Sequence, residues 1–314
     1  MIPVNSGRQC AVLMGCLRLQ DIKLQNNIQM KILSIFIFLL VTAASPLTVP
    51  NVLLAGFEDG DRTVGGKLNL NSSGLSCAVD GMQVSTTYAR VGTKSIHSIC
   101  RYSDAPCGGS KRDEFAVFKN NADSVIKDQF YNFSCYIDNL YPSGVVDGED
   151  FLIMQFKSTS QDNFPFVAIW VSPDVGGTYS NYVLVIQTAA TAGAAVKDTT
   201  ITRVLARAYS NSWVDFTLNI DWKSDASGQT DVYMNRVLKA SVTGQNMNPV
   251  LNPSVPRYPS FRCGLYCFGW NGGIDVVDRR DAYYDEIKVG TTGTVSDYFV
   301  PSTSTESPKG LFKL

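Results

Sequence analysis

Phe151-Leu-Ile-Met-Gln-Phe-Lys157 is an apolar run broken only by Gln155 and the terminal Lys157. Side chains alternate between the two faces of an extended strand. The alternation predicts Leu152, Met154 and Phe156 on a core face, with Gln155 and Lys157 together on the other. A polar pair in such a strand marks either a wetted sheet face or the floor of a binding groove. The surrounding strands decide which.

Those strands are many. Short segments rich in Val, Ile, Phe, Tyr and Trp recur near 52–57, 94–101, 112–119, 129–137, 150–157, 165–171, 182–188, 201–209, 213–222, 230–239, 261–269 and 283–289. Gly, Pro, Asn, Asp and Ser separate them, and helical periodicity is nearly absent. Asp225-Ala-Ser-Gly228 reads as a hairpin turn, Pro173-Asp-Val-Gly-Gly177 as a break, and 244–259 as a proline-rich loop. So many strands in one domain predict an all-β chain, a jelly-roll sandwich of two antiparallel sheets sharing one core.

The start of the chain reads as an address. Met30-Lys31, the apolar run Ile32 to Val41 and the small residues Thr42-Ala43-Ala44-Ser45 have the layout of a secretory signal. We expect residues 1–29 to be an extension, 30–45 a signal peptide, 46–290 the domain and 291–314 a loosely held Ser/Thr/Pro-rich tail. The expected product is secreted and monomeric, with no membrane insertion once the signal is removed. Taking Arg8, Arg18, Lys23, Lys31 and Asp21 away leaves 23 basic against 27 acidic residues. That balance argues against a nucleic-acid partner, so any anion must be recognised by local positive charge.

Six cysteines follow the signal: Cys77, Cys100, Cys107, Cys135, Cys263 and Cys267. An even number in a secreted chain suggests disulfides. Cys263 and Cys267, about 13 Å apart along a regular strand, cannot bond to each other. Cys100 and Cys107 flank a turn and are the expected local pair. Asn71-Ser-Ser and Asn132-Phe-Ser are glycosylation sequons. No nucleotide or redox cofactor is implied. Asp285-Glu286 and Asp275/Asp278 offer oxygen ligands for a structural calcium ion, although no loop has a calcium spacing.

The same alternation groups further polar residues. Arg112 and Glu114 share a face, as do Arg262 and Tyr266, with Gly264 between them admitting a ligand close to the sheet. Each has a plain alternative: a surface ion pair, a sheet aromatic, a solvated face. His97 shares a face with Ser95, Ile99 and Arg101, and more often such a histidine is structural. Trp170, Trp213, Trp222 and Trp270 are candidate sugar-stacking rings, Trp222 being in phase with the core.

At these residues the chain resembles the concanavalin-like, jelly-roll polysaccharide lyases, including alginate and glucuronan lyases. The family's Arg-x-Glu strand resembles Arg112-Asp-Glu114, its Gln-x-His strand Gln155-Phe-Lys157, and its Lys-x-Gly-x-Tyr strand Arg262-Cys-Gly-Leu-Tyr266. Tyr283-Tyr-Asp-Glu-Ile-Lys-Val289 is similar to the closing strand of such sandwiches. The resemblance implies β-elimination in an acidic, uronate-containing polysaccharide. Arg112, Gln155 and Lys157 would neutralise the carboxylate, and Tyr266 would serve as base and acid. Glu114, Arg262 and Trp270 would bind substrate. An ordinary phenol ionises near pH 10, so positive neighbours are needed, and Arg262 is the nearest along the strand. Where the family often has histidine this chain has Lys157. Lysine then takes over, or His97 supplies the imidazole from a neighbouring strand, or activity is lost. The rival reading is a non-catalytic, lectin-like secreted protein. A hydrolase would need a second acid in phase, and none is evident.

Overall fold

The computed structural model describes residues 53–58, 63–64, 68–71, 75–107, 109–119, 129–138, 140, 150–157, 164–174, 176, 178–191, 196–249, 259–271 and 277–300, all within one compact unit spanning 49–314. The expected extension, signal peptide and distal tail, 301–314, lie outside them. Among the described residues no helix is long and apolar enough to cross a membrane.

Among the described residues sixteen strands form two sheets: β1 (Leu53–Ala55), β2 (Thr63–Val64), β3 (Leu68–Asn71), β4 (Gln83–Ser85), β5 (Ser95–Arg101), β6 (Lys111–Lys119), β7 (Phe130–Ile137), β8 (Phe151–Lys157), β9 (Val167–Pro173), β10 (Ser180–Thr188), β11 (Thr199–Arg207), β12 (Trp213–Asp221), β13 (Gln229–Met234), β14 (Val237–Thr243), β15 (Ser260–Cys267) and β16 (Arg279–Gly290). The back sheet runs β14-β13-β12-β7-β16-β5-β4, with β1 also on β16. The front sheet runs β11-β10-β9-β8-β15-β6-β3-β2. The pairings are antiparallel, as a jelly-roll sandwich requires.

Period-two patterning explains the layers. Tyr131, Phe133, Cys135 and Ile137 of β7 face inward, as do Val214, Phe216, Leu218 and Ile220 of β12. From the front sheet Phe156 and Phe261 meet them. Phe133 stacks on Phe216 at 5.0 Å, Phe156 stacks on Phe261 at 5.2 Å, and Tyr131 meets Phe156 edge-on at 4.6 Å. Truncating one such ring to alanine costs about 3–5 kcal/mol. Trp222 is core, as its phase predicts, and donates Nε1–H to the Tyr131 hydroxyl.

Several expectations are corrected here. The segment 230–239 is two strands, because Asn235 and Arg236 both adopt positive φ, 48° and 70°, and reverse the chain without a glycine. β2, β3 and β4 are edge pieces of two to four residues, too short to show a period. The disulfide joins Cys77 to Cys107, with Cα atoms 5.3 Å apart. Cys100 points into the core instead, where its hydrogen bond with the Cys267 thiol and its burial push its own thiol well above the usual range. Residues 291–300 are held down: Tyr298 is fully buried, stacks on Phe130 at 4.8 Å, and donates to the Thr292 carbonyl. Asn132 is no glycan acceptor in the fold, being buried with Nδ2 donating to the Glu286 carbonyl and Oδ1 accepting from Thr217.

Candidate functional site

Arg112 and Glu114 on β6, Arg262 and Tyr266 on β15, and Gln155 and Lys157 on β8 lie on the outer face of three adjacent strands of the front sheet. Register sets who meets whom. Tyr266 lies opposite Arg112 on one side and Leu152 on the other, Arg262 opposite Ala116 and Gln155, and Lys157 opposite Ser260. Leu152 was expected in the core. It reaches the outer face because β8 carries an extra residue against β9 between Leu152 and Met154, which resets the alternation and turns Phe151 and Ile153 inward.

Glu114 is the hub. Its Oε1 accepts a 2.5 Å hydrogen bond from Gln155 Nε2, and its Oε2 lies 3.6 Å from Arg112 Nη1. Burial raises the Glu114 pKa, and the Arg112, Arg262 and Lys157 charges with the Gln155 hydrogen bond oppose that rise. The Arg112 guanidinium lies over the Tyr266 ring at 4.2 Å, and the Tyr266 hydroxyl is 3.0 Å from Ser110 Oγ. Arg262 donates Nε–H to Ser260 Oγ, which itself donates to the Lys157 carbonyl. The charges of Arg112, Arg262 and Lys157 thus all bear on one carboxylate. Gln155 Oε1 is buried with no hydrogen-bond partner among the described residues. A hydroxylated anion would satisfy this orphaned buried acceptor beside the three charges.

Three readings of single residues change. Gly264 has φ of +132°, and a Cβ there would strike the backbone of Asp113 and Glu114. It is glycine because β6 approaches closely, rather than to admit a ligand. His97 lies on β5 of the back sheet, where Nε2 pairs with Asp281 Oδ1 at 2.8 Å and its ring stacks on Tyr283 at 4.3 Å. It cannot reach the front face as a substitute imidazole. Trp270 sits in a short 3-10 turn, Phe268–Asn271, 3% exposed and facing Arg280 and Tyr102, so it offers no ring to a sugar.

Sequence reasoning missed Ser110, Leu152 and Ser260. Ser110 precedes β6, Ser260 opens β15, neither carries a motif, and Leu152 is visible only once the bulge is known. It also assigned Tyr266's cation to its own strand, whereas Arg112 of the neighbouring strand stacks on the ring. Of the carboxylates offered to calcium, Asp275 lies outside the described residues. Asp285 already accepts N–H bonds from Arg90, Val91 and Glu286, and Glu286 lies 3.6 Å from Lys288. Among the described residues no group of three or more His, Cys, Asp or Glu is arranged to hold a metal.

The comparisons agree with this architecture. A family model described as "Polysaccharide lyase" matches residues 57–288. An endo-β-1,4-glucuronan lyase from the fungus Trichoderma reesei superposes with a TM-score of 0.56 at 17% identity, covering 78% of this chain and 96% of that one. An alginate lyase from Pseudomonas aeruginosa gives 0.47 at 14%, covering 68% and 87%, and one from Klebsiella pneumoniae 0.48 at 10%, covering 76% and 99%. At these identities the first likeness shows the fold. No curated protein sequence matches the chain.

Proposed function

This chain belongs to the polysaccharide lyase family, and from that premise we propose that it is a secreted enzyme cleaving a uronate-containing polysaccharide by β-elimination. The observation that carries the proposal is the run of contacts from Gln155 through Glu114 and Arg112 to Tyr266, where the charges of Arg112, Arg262 and Lys157 bear on one carboxylate.

The chemistry needs two things. The C5 proton of a uronate leaves only when the adjacent carboxylate is neutralised, because the electron pair left behind spreads into it. Arg112 and the second amide hydrogen of Gln155 supply charge-assisted hydrogen bonds to that carboxylate, and Lys157 and Arg262 add positive potential. Glu114 touches no substrate: it positions Arg112 and Gln155 by holding one of each group's donors. Tyr266, as phenolate, takes the C5 proton. The C5–H electron pair then forms the C4=C5 double bond as the C4–O bond breaks, and the departing glycosidic oxygen receives a proton back from Tyr266. Arg112 over the ring stabilises negative charge on the phenolate. Lysine at position 157 takes the carboxylate-binding role that histidine has in the resembled pattern.

The test is incubation of the secreted chain with glucuronan, alginate, pectate and glycosaminoglycans, following ultraviolet absorbance of the new double bond conjugated to the carboxylate. Tyr266→Phe should lower kcat about 10²–10⁴-fold while polymer binding persists. Polymer binding with no unsaturated product from any of these substrates would favour the lectin-like reading.

A further inference from the structure

The front sheet carries a second cationic and aromatic cluster at its far edge. Tyr266, Leu152, Trp170, Val183 and Val204 follow one another in register across β15, β8, β9, β10 and β11. Beyond Val183 on β10, Asn181 lies opposite Arg207 of β11. The Arg207 guanidinium lies over two rings, 4.5 Å from the centroid of Tyr179 and 5.3 Å from that of Tyr209. Both rings are exposed, Tyr179 to 40% and Tyr209 to 57%.

The cluster is built rather than incidental. Asp174 closes the β9–β10 turn by accepting from the backbone N–H groups of Thr178 and Tyr179 and from the Thr178 hydroxyl, which fixes the first ring. The Ala208 N–H donates to the Ser180 carbonyl and fixes the second. Arg207 has no ion-pair partner among the described residues. An exposed guanidinium braced by two rings keeps its planar fork ordered at little further entropic cost, and its geometry matches a carboxylate. Exposed tyrosines beside it offer large, stiff, amphipathic contact area to a sugar.

We propose that Tyr179, Arg207 and Tyr209 form an outer subsite that holds a uronate unit of the same polymer, several sugars from the bond cleaved at Tyr266. The proposal rests on the lyase reading for the identity of its ligand. Four strand spacings separate β15 from β11, about 19 Å, so short fragments bound at Tyr266 do not reach it. The outer subsite therefore favours long acidic chains.

The test compares wild type with Arg207→Ala and Tyr209→Ala on a polyuronate and on a uronate trisaccharide. The ratio of kcat/KM on polymer to that on trisaccharide should fall about 10-fold in each variant. An unchanged ratio overturns the proposal and leaves the lyase reading intact. Independently of turnover, electrophoresis through gels containing polyuronate or a neutral glucan reads binding alone. Loss of polyuronate retardation in Arg207→Ala supports the subsite even if no unsaturated product forms. Equal retardation of Arg207→Ala and wild type, or loss on the neutral glucan as well, overturns it.

Discussion

On the back sheet Asp215 receives Nε and Nη2 of Arg90 at 2.9 and 3.0 Å and the Ser134 hydroxyl at 2.7 Å. On the front sheet Glu114, more deeply buried, receives one hydrogen bond among the described residues, from Gln155, and beside it the Gln155 carbonyl oxygen has none there. Both faces remove charge from water, which is costly unless the partners restore what solvent supplied. The back face restores it from within: Asp285 is filled by three N–H groups, Lys288 reaches Glu286 and the Phe299 carbonyl, and residues 291–300 lie across the sheet. The front face keeps hydrogen-bonding capacity in reserve. A closed cluster holds a fold together, while one with an orphaned acceptor is suited to a ligand.

Breaking each cluster should give opposite signatures. Asp215→Ala removes the carboxylate that takes Nε and Nη2 of Arg90 on the back sheet and should cost about 3–5 kcal/mol of stability. Urea unfolding would show it, and the folded fraction should retain wild-type turnover on polyuronate. Gln155→Ala should weight the effects the other way, with kcat/KM falling about 10²–10³-fold and stability by about 1–3 kcal/mol, the cost of Glu114's lost hydrogen bond. Equal loss of stability in both variants would erase the distinction between the faces.

A third, smaller effect lies between the sheets. Asp113 of β6 points inward and accepts from the N–H groups of Met82 and Ile99, tying front sheet to back. Burial raises its pKa from 3.8 to about 6. A carboxyl with a raised folded pKa binds its proton more tightly when folded, so its contribution is fully present below pH about 4 and is lost as pH rises through about 6. Asp113→Asn cannot ionise, so its stability relative to wild type should improve between pH 4 and 7, by at most about 3 kcal/mol. Urea midpoints across that range check the sign. Asp285, raised by burial to about 7, leaves a similar slope in both proteins. The smallest effect belongs to His97→Ala. It removes the pair with Asp281 on the back sheet and should change kcat less than about 2-fold, within the range of a lost partly exposed pair. A large fall in kcat would mean that His97 acts on the front face after all.

Much of this comparison was legible in the chain. Alternation put Arg112 with Glu114, Gln155 with Lys157, and Arg262 with Tyr266, and the front sheet keeps each pair on one face. It misplaced Leu152, because a single bulged residue shifts a strand's phase. It left His97 free to join the front face, because a period of two says which side of a strand a residue occupies but not which sheet the strand enters.

The sequence by itself determined the β architecture, the core phase of strands without a bulge and the faces of the polar pairs. These are local properties, set by a two-residue repeat within each strand. Only the tertiary structure decided that Cys77 rather than Cys100 bonds Cys107, that Arg112 rather than Arg262 covers Tyr266, and that His97 stands on the far sheet. Each of those depends on which strands become neighbours and in what register. Distant segments settle that jointly when their apolar faces close on one core.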